Sequence, residues 1–158
     1  MKAVSLKEIK TELQYRSRDE LLQLCLHLSK FKKENKELLT YLLVEADYEE
    51  GFRETIKEEV DELFTTINTA SYFYMKKTIR KILRHVKTNI RYSKNKETEV
   101  ELIIYFCEKL KEVSPSIKNS IVLKNLYLRE LVAIEKKILG LHEDLQYEYK
   151  EALESLKF

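Results

Sequence analysis

Two glycines and one proline in 158 residues leave this chain with almost no material for tight turns. Hairpin connections depend on residues that adopt positive φ or a fixed φ, and glycine and proline supply most of them. A chain this poor in both, with 44% hydrophobic and 35% charged residues, is expected to be helical nearly throughout. Its length suits one domain, 1–158, able to bury about two thirds of the surface its unfolded form exposes.

Capping signals divide the chain. Ser5 with Glu8 and Ser17 with Glu20 are S-x-x-E boxes that predict helix starts, with helices reaching Tyr15 and Leu28. After a loop at Ser29-Lys30-Phe31, Glu34 to Glu45 reads as a third helix. Asp47 with Glu50 is read as the cap of a fourth, with the apolar stripe Phe52, Ile56, Val60, Leu63, Phe64 and Ile67. Ser71 opens a fifth that runs to about Tyr92. Thr98 with Glu101 is read as the cap of a sixth, which Ser114-Pro115 ends. From Ile117 to Leu156 the apolar spacing of three or four continues across Gly140. That phase favours one long, kinked helix, and hence seven helices, over a break that would give eight.

The fifth segment concentrates charge. Nine Lys or Arg fall between Lys76 and Lys96, and no acid occurs between Leu63 and Lys96. At 3.6 residues per turn, Met75, Ile79, Ile82, Leu83, Val86 and Ile90 share one side. Lys76, Arg80, Arg84, Lys87 and Arg91 share another, over about 20 Å. With Lys77, Lys94 and Lys96 they form a candidate anion-binding surface whose spacing suits several phosphates. Tyr72, Tyr74 and Tyr92 at its ends are candidates for stacking on unpaired bases. The opposite reading is equally physical. Nine acids lie between Glu45 and Glu62, immediately upstream, and two adjacent helices of opposite sign can neutralise each other.

Chemistry beyond binding is sparse. His27, His85 and His142 have no H-E-x-x-H or E-x-x-H spacing, so no metal or other cofactor is expected. Glu54, Glu58, Asp61 and Glu62 read as a solvated or ion-paired helix face rather than a catalytic pair. Cys25 and Cys107 lack the surroundings of a nucleophile and read as reduced core thiols. Two isolated glycines cannot build a phosphate loop. The amino terminus has no apolar signal core, and no apolar run could span a bilayer, so a cytoplasmic, non-enzymatic protein without a membrane partner is expected.

An internal repeat suggests an architecture. Aligning Ser29 with Ser93 matches Ser29/Ser93, Lys30/Lys94, Lys32/Lys96, Glu37/Glu101, Leu38/Leu102 and Tyr41/Tyr105, six positions in thirteen. With E-L-L-T-Y-L-L and E-L-I-I-Y-F as its recurrent helical pieces, the segment Arg18 to Lys111 resembles a degenerate HEAT-type αα-repeat. In general character the chain is similar to small helical proteins of bacteria. The HEAT-like resemblance implies an all-α fold of stacked antiparallel hairpins, here closed by the long carboxy-terminal helix. HEAT-like enzymes that excise alkylated bases use a Trp/Asp-lined cleft, and this chain has no Trp. The functional expectation is a binding scaffold whose basic helix engages nucleic acid through its backbone. The alternative is a protein-interaction or homodimer module using 117–156, with Tyr127, Leu141 and Tyr147 as anchors.

Overall fold

The structure, a computed structural model, describes residues 1–158 as eight α-helices with no strand. The expected all-helical class is observed. The chain, read above as one domain, groups into two compact units, Met1–Val44 and Glu45–Phe158.

The first unit holds α1 (Leu6–Gln14), α2 (Arg18–Phe31) and α3 (Lys33–Thr40). Ser5 and Ser17 cap α1 and α2 as reciprocal boxes: each hydroxyl accepts the N3 amide, while Glu8 and Glu20 accept the cap's own N–H. The hydrogen bonds to Ser5 and Ser17 hold both carboxyls below their ordinary range. The loop expected at Ser29-Lys30-Phe31 is helical instead. Ser29 Oγ donates to the Cys25 carbonyl inside the helix, and the chain turns only at extended Lys32. Asn35 then donates from its side chain to the Leu28 carbonyl, joining α2 to α3. A π-turn, Tyr41–Glu45, follows.

The second unit contains α4 (Glu49–Thr65), α5 (Tyr72–Ser93), α6 (Lys96–Glu112), a 3-10 turn (Ile117–Asn119), α7 (Ile121–Ile138) and α8 (Glu143–Leu156). It is a bundle organised on α6, which packs against α4, α5, α7 and α8. A helix with four neighbours must be apolar almost all round, and α6 buries Val100, Leu102, Ile103, Ile104, Phe106, Cys107 and Leu110. The stripes expected on α4 and α5 face it: Phe52, Ile56 and Val60 from one, Met75, Ile79, Ile82, Leu83 and Val86 from the other.

Three local expectations give way. Helix α4 starts at Glu49 with Tyr48 at its cap position and no side-chain cap, in place of Asp47. Helix α6 starts two residues before Thr98 because Asn95 Oδ1 accepts the Thr98 amide, 3.1 Å away. The single long carboxy-terminal helix is two helices, which makes eight. The chain turns at Leu139-Gly140-Leu141, His142 Nδ1 accepts the Asp144 amide at 3.4 Å, and the Gln146 side chain donates to the Leu139 and Leu141 carbonyls. Turning back lets α8 cover α6 and α7 with Tyr149, Leu153 and Leu156, so the continuous apolar phase served two packed helices rather than one.

The thiols differ. Cys25 is exposed, against the expectation, and Cys107 is buried in α6. Burial, with the Glu130 and Glu108 carboxylates nearby, pushes the Cys107 thiol up to about 12. Near pH 8 the folded protein should therefore react with a thiol-specific reagent at one cysteine, Cys25, and at both only after denaturation. Two fast-reacting thiols in the native protein would contradict the placement of Cys107.

Candidate anion-binding groove

Where α4's acids go decides what α5 has left. Helices α4 and α6 exchange ions reciprocally. The Arg53 guanidinium lies 2.8 Å from Glu101 and 3.6 Å from Glu97, the closer approach too bent for a hydrogen bond from Nε. Lys57 donates to Glu101 at 2.6 Å and to Glu54 at 2.7 Å. In return, Lys109 and the Tyr105 hydroxyl of α6 donate to Asp61 at 2.9 and 2.8 Å. Burial raises the Asp61 carboxyl, but these two donors outweigh it and hold the group below its ordinary range. Tyr149 of α8 donates to Glu97 and Glu101 at 3.3 and 3.2 Å. Glu49 accepts from Ser93 and Thr98. Only one α4 acid pairs with a basic side chain of α5: Glu59, with His85 at 2.7 Å.

The cationic face of α5 therefore points elsewhere, toward α7. Between the two helices lies a groove of about 810 Å³. Arg80, Leu83, Arg84, Lys87, Thr88 and Arg91 line it from α5, and Val122, Asn125, Leu126 and Arg129 from α7. Five of these ten side chains are cationic and none is acidic, over a partly apolar floor. No carboxylate lies within the 4.0 Å pairing distance of Arg80, Arg84 or Arg91. A concave wall of one sign concentrates potential in the groove, and unpaired guanidinium groups are suited to bidentate capture of phosphate or carboxylate oxygens.

The sequence-derived candidates separate into distinct roles. Arg80, Arg84 and Arg91 meet in the groove. Lys87 also reaches it, but its ammonium is held at 2.8 and 2.9 Å by both oxygens of Glu130, a carboxylate 4% exposed on α7. Burying a carboxylate is tolerable only with a partner, and Lys87 is the close one, Arg129 lying at 3.6 Å. Lys76 is half-buried beside the Phe73 ring, 5.5 Å from its centroid. Lys77, Lys94 and Lys96 are exposed outside the groove lining, Lys94 with a left-handed φ of 56° at the end of α5.

The tyrosines separate as well. Tyr92 is in the core, and the Tyr72 hydroxyl donates to the Ser116 carbonyl at 2.7 Å. Tyr74 is exposed, in edge contact with exposed Phe73, an aromatic that the sequence reading passed over. Arg129 and Asn125 were also missed. They come from α7, and no local pattern announces which distant helix will face α5. Of the anchors proposed for 117–156, Tyr127 is fully buried and donates to the Leu156 carbonyl at 2.7 Å, so it is not a surface group; Leu141 is half-buried and Tyr147 exposed.

The rest of the second unit is polarised oppositely. Glu50, Glu54, Glu97, Glu101, Glu108 and Glu148 line a cleft among α4, α6 and α8, against only Arg53 and Lys57. The net charge of +2 conceals this separation. No three His, Cys, Asp or Glu side chains converge as a metal site, and no helix is long and apolar enough to cross a membrane. Comparison with family models, curated proteins and solved structures finds no match.

Removing the Lys87 ammonium should leave the buried Glu130 carboxyl group poorly paired. Lys87→Met is expected to lower unfolding free energy by about 2 kcal/mol, short of the full penalty for breaking a buried pair because Lys87 is itself half exposed. Lys87→Met with Glu130→Met should recover most of the loss in urea denaturation. A neutral single variant would contradict the pairing.

Proposed function

We propose that the α5–α7 groove binds the phosphate backbone of nucleic acid, and that the protein is a non-enzymatic binding scaffold. The observation that carries this reading is that Arg80, Arg84 and Arg91, successive along one helix face, have no carboxylate partner although the same unit contains many acids. Exposed like charges gathered on one wall repel one another, and a ligand with regularly spaced negative charge relieves that repulsion. The open form of the groove favours a chain running through it over an enclosed small molecule. Contacts of this kind position a backbone and carry little sequence information, so recognition should depend weakly on base identity. The exposed Phe73–Tyr74 pair at the start of α5 offers a stacking surface that favours single strands.

Fluorescence anisotropy of labelled single- and double-stranded oligonucleotides tests the reading. Four arginines, counting Arg129, predict that log K falls with log salt with a slope of about −3 to −4. Arg80→Glu with Arg84→Glu and Arg91→Glu should weaken binding by at least about 100-fold, since each lost contact becomes a repulsion. Lys87 is left intact so that the Glu130 pair survives. Absence of binding at about 50 mM salt, or binding indifferent to the triple substitution, would overturn the assignment.

A further inference from the structure

Helix α7 has a second face. Its buried side, Leu123, Leu126, Tyr127, Glu130, Leu131, Ile134 and Ile138, packs into the bundle. Directly opposite, Ile121, Asn125, Leu128, Val132, Glu135 and Leu139 succeed one another at spacings of four and three. At 100° per residue they fall within an arc of about 80°. The four apolar members remain 79%, 39%, 54% and 64% exposed in chain order. A regular apolar seam on the outer face of a helix whose inner face is already satisfied is the pattern of a helix that pairs with another helix.

The seam is complementary to itself. Laid antiparallel on a second copy about its midpoint at position 130, Ile121 meets Leu139, Leu128 meets Val132, and Asn125 meets Glu135. Each of these pairs matches in kind: apolar on apolar twice, and an amide donor on a carboxylate acceptor. An interface that is its own complement is what a two-fold dimer requires. We propose that this face of α7 pairs antiparallel with α7 of a second copy of the chain.

One geometric consequence rests on the phosphate reading. A two-fold axis perpendicular to the two helix axes keeps the same flank of both helices on the same side of the dimer. Val122, Leu126 and Arg129, which line the groove, all lie on one flank of the seam. Pairing therefore opens both cationic grooves on one face and sets the two Arg129 side chains between them, giving one surface twice as long for a polyanion. The contact covers about 27 Å of helix and buries on the order of 1,000 Å² in all, the lower end of the range for stable interfaces. Lys124, Arg129 and Lys136 of both copies flank it. Their repulsion weakens the dimer at low salt, and screening or a bound polyanion strengthens it.

Sedimentation equilibrium of the full chain, from about 10 to 500 µM and at low and high salt, reads the pairing directly. The wild type should shift from 19.0 kDa toward twice that mass with concentration, and more readily at high salt. Leu128→Glu with Val132→Glu should remain at 19.0 kDa throughout, with an unchanged helical spectrum because neither residue serves the bundle core. In a Cys25→Ser background, Asn125→Cys with Glu135→Cys should cross-link between copies under oxidation, while neither single variant should. A wild-type monomer at every concentration, a dimer unaffected by the Glu substitutions, or cross-linking of the single variants would overturn the proposal. The Arg80, Arg84 and Arg91 substitutions should leave the dimer intact, so loss of oligonucleotide binding and loss of pairing are separable outcomes.

Discussion

The reciprocal exchange of ions between α4 and α6 is the constraint on which the second unit's charge pattern depends. Arg53 and Lys57 reach across to Glu97 and Glu101, while Lys109 and Tyr105 reach back to Asp61. Largely buried pairs of this kind add little net stability each, because desolvation offsets much of the attraction. Their effect here is directional. With α4 engaged by α6, Glu59 at His85 is the one acid of α4 that pairs with a basic side chain of α5, and the arginines of the basic helix have no partner on α4. They face a groove rather than a row of carboxylates.

Helix α6 supports that arrangement because it is saturated with neighbours. Apolar side chains on most of its circumference hold α4, α5, α7 and α8 around one axis. Its polar positions serve the same neighbours: the ion exchange and Thr98, which donates to Glu49, engage α4, Glu99 pairs with Lys137 of α7, and Lys111 donates to the Ser155 carbonyl of α8. At the far side of α5, Glu130 is the single buried acid facing the groove region. It fixes Lys87 and brings α5 and α7 into register beneath the arginines. A carboxylate at that position costs desolvation, and the pair with Lys87 offsets it, so Lys87 is structural, Arg129 touches the same carboxylate at 3.6 Å, and Arg80, Arg84 and Arg91 have no carboxylate partner.

Much of the fold was legible in the sequence because its determinants are local. The scarcity of glycine and proline predicted helices, the boxes at Ser5 and Ser17 placed two helix starts to the residue, and the stripe from Met75 to Val86 named the buried face of α5. The failures share a cause: each depended on a partner distant in sequence. Gly140 ends α7 because α8 finds a surface on α6 and α7 to fold back onto, a tertiary preference that overrides an uninterrupted apolar period. Tyr92 and Tyr127 were read as surface aromatics and are core residues, since periodicity gives a face without saying what covers it. The acidic block upstream of α5 suggested neutralisation by adjacency in sequence, whereas among its acids Asp61 pairs with α6, Glu54 with Lys57 of its own helix, and only Glu59 with a basic side chain of α5, His85. Arg129 could not have been joined to Arg80 and Arg84 without the packing of α7.

The claim that α5 keeps an uncompensated cationic face, open toward α7, is tested most directly by amide chemical-shift mapping of the protein titrated with a short single-stranded oligonucleotide. The largest shifts should cluster at residues 80–91 and 122–129, with the α4–α6 seam from 53 to 61 and 97 to 109 unmoved. Shifts confined to the basic turn at 30–36, or none on either wall of the groove, would contradict it.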